Sequence, residues 1–168
     1  KRENFLSSDG YAYFEKMSFD SAEVCFRKAL ATDPKNEELC RMVAASLISK
    51  GRYNESKEFL NRALEIYPEN YIAIYFQGLI LLNQQQPDSA MIYFDRATAL
   101  KINYADPYYG KGKAYMNKRD FQLAIQQFEL AYKHGGQNYK ILNEAALAYL
   151  MSLASDRHRR SSGDDWSN

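Results

Sequence analysis

A spacing of 34 residues constrains this chain more than any other feature. Ala22, Ser56, Ala90 and Ala124 stand 34 positions apart each time. Four residues beyond each is a large apolar side chain: Phe26, Leu60, Phe94 and Phe128. Three further on is alanine: Ala29, Ala63, Ala97 and Ala131. Upstream, small residues recur as Gly10, Ala44, Gly78, Gly112 and Ala146, followed three positions later by Tyr13, Leu47, Leu81, Tyr115 and Tyr149. Residues separated by 3, 4 and 7 lie on one face of a helix. Each period therefore holds two helices, A and B, packed antiparallel across a short turn. Small residues let the two backbones approach, and large ones fill the space beside them. One pair cannot bury both of its faces, so the pairs must stack into an all-α solenoid.

The breaks between helices follow the same period. Asn36, Asn70 and Asn138 stand where A helices should begin, and asparagine is a favoured N-cap. Pro34 and Pro68 stop the preceding B helices. Pro87 suits the first turn of a B helix, where its missing N–H costs nothing. Ser18 and Asp120 are the expected N-caps of two other B helices. Asp106-Pro107 reads as a cap followed by proline at the first helical position, which starts that A helix late. Gly135-Gly136 ends the fourth B helix.

With these columns the sequence resembles the tetratricopeptide repeat, a helix–turn–helix unit of about 34 residues. The resemblance implies a right-handed solenoid of antiparallel helix pairs. It divides the chain into repeats 3–36, 37–70, 71–104 and 105–138, a capping helix 139–160 and a disordered tail 161–168, with 1–160 as a single domain. Some consensus residues differ. Leu6, Cys40, Ile74, Tyr108 and Leu142 replace the early tryptophan, and repeats three and four have Ile102 and Gly136 in place of the closing proline. The capping helix should pack Ala145, Ala146, Ala148 and Tyr149 on the last B helix. Its far side should be more polar, as an end piece requires.

Composition narrows the function. With 22 basic and 21 acidic residues the net charge is +1, without the basic excess of a nucleic-acid binder. No apolar run approaches the ~20 residues of a membrane span. Two cysteines, Cys25 and Cys40, make no disulfide framework and read as reduced helical packing residues. Two histidines make no metal cluster, and neither has a nucleophile at a catalytic spacing. No catalytic residue, metal or cofactor is expected. Gly110-Lys111-Gly112-Lys113 lacks the last glycine of a phosphate loop and falls within a helix. Asn54-Glu55-Ser56 matches a glycosylation sequon, but its serine is a packing column.

In the resembled family, recurrent A-helix positions line a concave groove. Carried onto this sequence they give Tyr11, Arg41, Ile48, Tyr75, Leu79, Asn83, Tyr109, Lys113, Asn117 and Asn143, with Lys140, Leu147 and Leu150 also on the last A helix. The carboxylate clamp of chaperone-binding members is absent, since its places hold Ser7, Tyr11, Met42, Ile72 and Phe76. Asn83, Asn117 and Asn143 form at best a short asparagine ladder.

The expectation is a non-enzymatic interaction module. It binds a peptide or helix of a protein partner in a tyrosine-rich groove, where Tyr11, Tyr75 and Tyr109 are exposed contacts and Arg41, Lys113 and Lys140 select an acidic flank. The plainer reading of these three tyrosines is that they only pack between neighbouring A helices. The alternative function is a self-associating or spacer domain of a larger protein. The acidic tail around Trp166 could also occupy the groove. No nucleic acid and no membrane insertion are expected. The chain opens on Lys1-Arg2 with no apolar leader core, which leaves open a cytoplasmic location or export after removal of a leader.

Overall fold

The computed structural model describes residues 2–135 and 138–163. Among them are nine α-helices: α1 (Arg2–Glu15), α2 (Phe19–Thr32), α3 (Glu37–Ser49), α4 (Tyr53–Ile66), α5 (Tyr71–Asn83), α6 (Pro87–Leu100), α7 (Ala105–Lys118), α8 (Phe121–Lys133) and α9 (Tyr139–Gly163). The odd-numbered helices are the A helices and the even-numbered ones the B helices. The chain forms two compact units, one ending at Ile80 and the other starting at Leu81, with the boundary inside α5. In the first, α1 packs on α2, α2 on α3 and α3 on α4; in the second, α6 packs on α7, α7 on α8 and α8 on α9.

The repeat columns are the core of both units. Phe26, Leu60, Phe94 and Phe128 are completely buried, as are the small residues four positions before each of them, and the alanines three positions after are buried to within 2%. The upstream glycines make room for the rings. A Cβ on Gly10 would stand 2.6 Å from the Phe26 ring, and one on Gly112 would stand 2.4 Å from Phe128. Gly110, outside the recognised columns, receives the ring of Phe94 from α6, at 2.6 Å from its would-be Cβ. In the second hairpin the polar member Ser56 is satisfied by donating to the Ala44 carbonyl at 3.1 Å.

Helix starts follow the asparagines. Asn36, Asn70 and Asn138 each accept a hydrogen bond at 3.0 Å, from the N–H groups of Leu39, Ala73 and Ile141. Ser18 and Asp120 occupy N-cap positions without a side-chain cap bond. Pro87 sits in the first turn of α6 as expected. At Asp106-Pro107 the expectation needs correction: α7 begins at Ala105, with Tyr104 as its N-cap. Proline is tolerated throughout the first turn, because none of those N–H groups has an intrahelical partner.

The turns from A to B share one device. Met17, Gly51, Gln85 and Arg119, again 34 apart, all have positive φ, at 58°, 74°, 59° and 63°. In each turn the next N–H reaches back five residues, as from Ser18 to Tyr13 at 2.9 Å and from Asp120 to Tyr115 at 3.0 Å. This is the Schellman closure of a helix C-terminus. Only one of the four residues is glycine. The other three carry the left-handed conformation at roughly 1 kcal/mol each.

A charge cluster joins α2 to the turn between α3 and α4. Glu23 is 6% exposed. It accepts from Arg27 at 2.7 Å, Lys50 at 2.9 Å and Arg52 at 3.0 Å. Lys50 also pairs with Asp20, and Arg52 with Glu55. Burial by itself would raise the Glu23 pKa, but hydrogen bonds from Lys50 and Arg27 outweigh it and hold the carboxyl below its ordinary 4.5.

The last helix departs from expectation. It runs three residues past the expected end, to Gly163, and Trp166 lies outside the described residues. Ile141, Ala148 and Ser152 form its buried side, with Ala145 half-buried, whereas Ala146 and Tyr149 are exposed. The outward surface is also not polar, since Tyr139, Leu142, Leu147, Leu150 and Leu153 are exposed on it. The reason lies in the columns: Ala146 and Tyr149 belong to the face that an A helix turns toward its own B helix, not toward the preceding one.

Two outcomes test this packing. Gly112→Val forces two methyl groups against the buried Phe128 ring and should destabilise the fold by about 1–3 kcal/mol in urea denaturation. Glu23→Gln should cost about 2 kcal/mol near neutral pH. Because the folded-state pKa of Glu23 is depressed, its contribution is fully present above pH 4.5 and is lost as pH falls through the folded value. The stability gap between wild type and Glu23→Gln should therefore narrow below pH 4.5.

Candidate functional site: the A-helix faces

In the first unit the candidate residues come from α1, α3 and α5. Tyr11 is half-buried, and its hydroxyl donates to Glu38 at 2.7 Å on the next A helix. Its ring meets Phe26 edge-on at 5.2 Å. Burial first, then the Glu38 hydrogen bond and charge, push the Tyr11 pKa well above the ordinary phenol value. Arg41 approaches Glu38 at 3.5 Å. Ile48 is half-buried against the core. Tyr75 is only 9% exposed. Leu79 is half-buried. Beside Tyr11, a cleft of 180 Å³ is bounded by Ser7, Asn36 and Glu38.

The second unit repeats the theme on α7 and α9. Tyr109 is half-buried, its ring 5.7 Å from Phe128 and its hydroxyl donating to Glu144 at 3.3 Å. Lys113 pairs with the same carboxylate at 3.0 Å, and the Lys140 ammonium lies 5.1 Å from the Tyr109 ring centre. Burial, then the charge of Glu144 and its hydrogen bond, raise the Tyr109 pKa to about 12. Asn83, Asn117 and Asn143 are exposed. Leu147 and Leu150 follow Asn143 at helical spacing and are exposed as well.

The structure thus joins Tyr11 to Arg41 through Glu38, and Tyr109 to Lys113 through Glu144. The hydroxyls of Tyr11 and Tyr109 are turned to neighbouring A helices, and Tyr75 is packed away. Glu144 was missed by the sequence reading, because it sits one position off the groove-lining register. Its charge, opposite to that of Lys113, was the available signal. Both cysteines are free thiols; Cys40 is buried, and burial raises its pKa. His134 stacks on Tyr108 with ring centres 5.0 Å apart. Among the described residues no group of His, Cys, Asp and Glu could hold a metal ion, and no helix is long and apolar enough to cross a membrane.

Helix pairs with a 34-residue register and A helices joined through polar side chains define a helical-repeat protein. Tetratricopeptide repeat families match residues 13–79, 71–102 and 105–133. The chain belongs to the tetratricopeptide repeat family, in the all-α solenoid fold class. It is 29% identical over 119 residues to the type IV pilus assembly protein PilF of Pseudomonas aeruginosa, an alignment covering 70% of this chain and 47% of that protein. The chain spans less than half the length of the curated relatives it matches. Among solved structures it resembles PilW, a type IV pilus biogenesis factor, with a TM-score of 0.72 and 20% identity over 90% of this chain and 76% of that one. It also resembles MamA, with a TM-score of 0.66 and 23% identity over 94% and 86% of the two chains.

A titration checks the second cluster. The difference in ultraviolet absorbance between wild type and Tyr109→Phe should show a phenol ionising at about pH 12. Glu144→Gln should lower that value, since it removes both the charge and the ionic hydrogen-bond acceptor.

Proposed function

We propose that this chain is a protein–protein interaction module whose A-helix faces bind a peptide or helix of a partner. The observation that carries this reading is the arrangement on the second unit. A half-buried tyrosine is fixed by Glu144 and Lys140, next to exposed Asn143, Leu147 and Leu150. A held aromatic beside exposed apolar and amide side chains is the composition of a recognition surface. The tyrosine anchors act through their ring faces, because the hydroxyls of Tyr11 and Tyr109 already have partners. Each unit carries its own preference for an acidic flank: Arg41 on the first, partly neutralised by Glu38, and on the second Lys140 with Lys113, the latter partly neutralised by Glu144. Catalysis has no place in this reading. Repeat surfaces of this kind work by extended contact.

Binding to a partner segment should show modest affinity, because ordering a flexible peptide offsets part of the contact energy. The test is affinity capture from a lysate of the source organism with wild type and with Leu147→Glu/Leu150→Glu, which alters only exposed side chains. A protein retained by wild type and depleted about tenfold or more by the variant supports the reading. Identical captured sets from the two folded chains would count against it.

A further inference from the structure

The side of α9 that packs on α8 changes character along its length. Ile141, Ala145 and Ala148 lie against the α8 core residues. The same side continues as Ser152, Ser155 and Arg159, at separations of four, three and four from Ala148. The Gln122 amide donates to the Ser152 hydroxyl at 2.8 Å, which sets Ser152 opposite the first turn of α8. Ser155 and Arg159 therefore stand past the start of α8, with Arg159 about 10 Å further along the axis than Ser152. They close a cavity of 370 Å³, whose other wall is the first turn of α8 and the turn before it, with Arg119 and Asp120.

Changes in the repeat columns open this cavity. At two earlier junctions an acid in the first turn of a B helix pairs with a lysine at the end of the next A helix: Asp20 with Lys50, and Asp88 with Lys118 at 2.6 Å. Gln122 and Ser152 stand 34 positions after Asp88 and Lys118. Here glutamine takes the place of the carboxylate and serine that of the lysine. The short serine leaves empty the space that a lysine stem would fill, and the glutamine removes a charge that would repel an anion. At the remaining junction these columns hold Asn54 and Gln84, so the A-helix residue is still long. The turn column adds a cation, since Arg119 follows Met17, Gly51 and Gln85.

The cavity wall is rich in donors. Ser152 is 6% exposed. Its oxygen accepts from Gln122, which leaves its own hydrogen to donate. Ser155 brings a second hydroxyl to the wall. Arg119 and Arg159 bring guanidinium groups from two different elements, and such groups hold oxyanions through paired N–H donors. Arg159 also donates to Asp156 on its own helix at 2.6 Å, through one nitrogen of its five-donor fork. Among the described residues Asp120 is the one carboxylate of the wall.

We propose that this cavity binds a phosphate group, either free phosphate or a phosphate monoester. The donors converge from α9 and from the turn before α8, and a tetrahedral phosphate offers oxygens to both, whereas a planar carboxylate meets donors in one plane. The volume is at the small end of the roughly 300–1,000 Å³ of ligand sites, which suits a phosphate and the few atoms next to it. The site lies apart from the A-helix surface proposed above, because Leu147 and Leu150 are on the other side of α9.

The test titrates the intact, nitrogen-15-labelled chain with inorganic phosphate and with N-acetyl-O-phosphoserine amide at constant ionic strength, following backbone amides by NMR. Saturable shifts are expected at Gln122, Leu123 and Ser155. Arg119→Gln and Arg159→Gln should each weaken binding about tenfold, and Asp120→Asn should strengthen it. Gln122→Asp/Ser152→Lys gives this junction the pair found at Asp88 and Lys118, so the chain should fold and lose binding. Circular dichroism of all variants should match wild type. Tighter binding of the phosphoserine compound supports the site with a phosphorylated side chain as its occupant, and tighter binding of inorganic phosphate supports it with the free ion. Because both probes are small anions, the result does not depend on whether the A-helix surface binds a partner. Absence of saturable shifts overturns the proposal, as does wild-type affinity in either arginine variant. The same shifts produced by chloride at equal ionic strength also overturn it.

Discussion

The rings of Phe26, Phe94 and Phe128 occupy spaces that only glycine leaves open, and the spacing of the helix pairs follows from that fit. A side chain of even one carbon at Gly10, Gly110 or Gly112 would stand within 2.6 Å of a ring. Helix α7 is the clearest case. It takes Phe94 from α6 at Gly110 and Phe128 from α8 at Gly112, so it is held from both sides by aromatic rings. Close approach of this kind gains dispersion energy over many atoms and leaves no void to relax into. The second hairpin reaches the same end with Ala44 facing the B-helix stripe that contains Leu60, and a serine hydroxyl bonded across the interface.

Most of the architecture was legible because packing imposes it at fixed intervals. The columns around Phe26, Leu60, Phe94 and Phe128 required a helix pair per period, and the asparagines at 36, 70 and 138 marked three helix starts. Three things were not legible. Asp106-Pro107 looked like a cap, but a proline inside the first turn leaves the same local pattern. The left-handed column at 17, 51, 85 and 119 was hidden because three of its four residues are not glycine. The open face of α9 contradicted the expectation of a polar end, which came from the general behaviour of terminal repeats and not from Leu142, Tyr149 and Leu153 themselves.

The candidate site was legible in residue type more than in role. Tyr11 and Tyr109 were found by their register, but each turns its hydroxyl to a carboxylate on the next A helix. Such bonds fix both the ring and the angle between neighbouring A helices. Recognition and cohesion therefore draw on the same side chains. Tyr75 lies further toward cohesion, and the exposed amides of Asn117 and Asn143 lie further toward recognition. Sequence spacing cannot separate these roles, because a shift of one position decides whether a group meets a neighbour or solvent, as Glu144 shows.

The turn column has a practical side. At Met17, Gly51, Gln85 and Arg119 the backbone closes the A helix through its own hydrogen bonds, and all four residues are exposed. Nothing in the packing depends on what those side chains are. The three that already carry side chains, Met17, Gln85 and Arg119, are addressable points in three hairpins, where a fluorophore or spin label attached through an introduced thiol would report on its own repeat while leaving the aromatic interlock undisturbed.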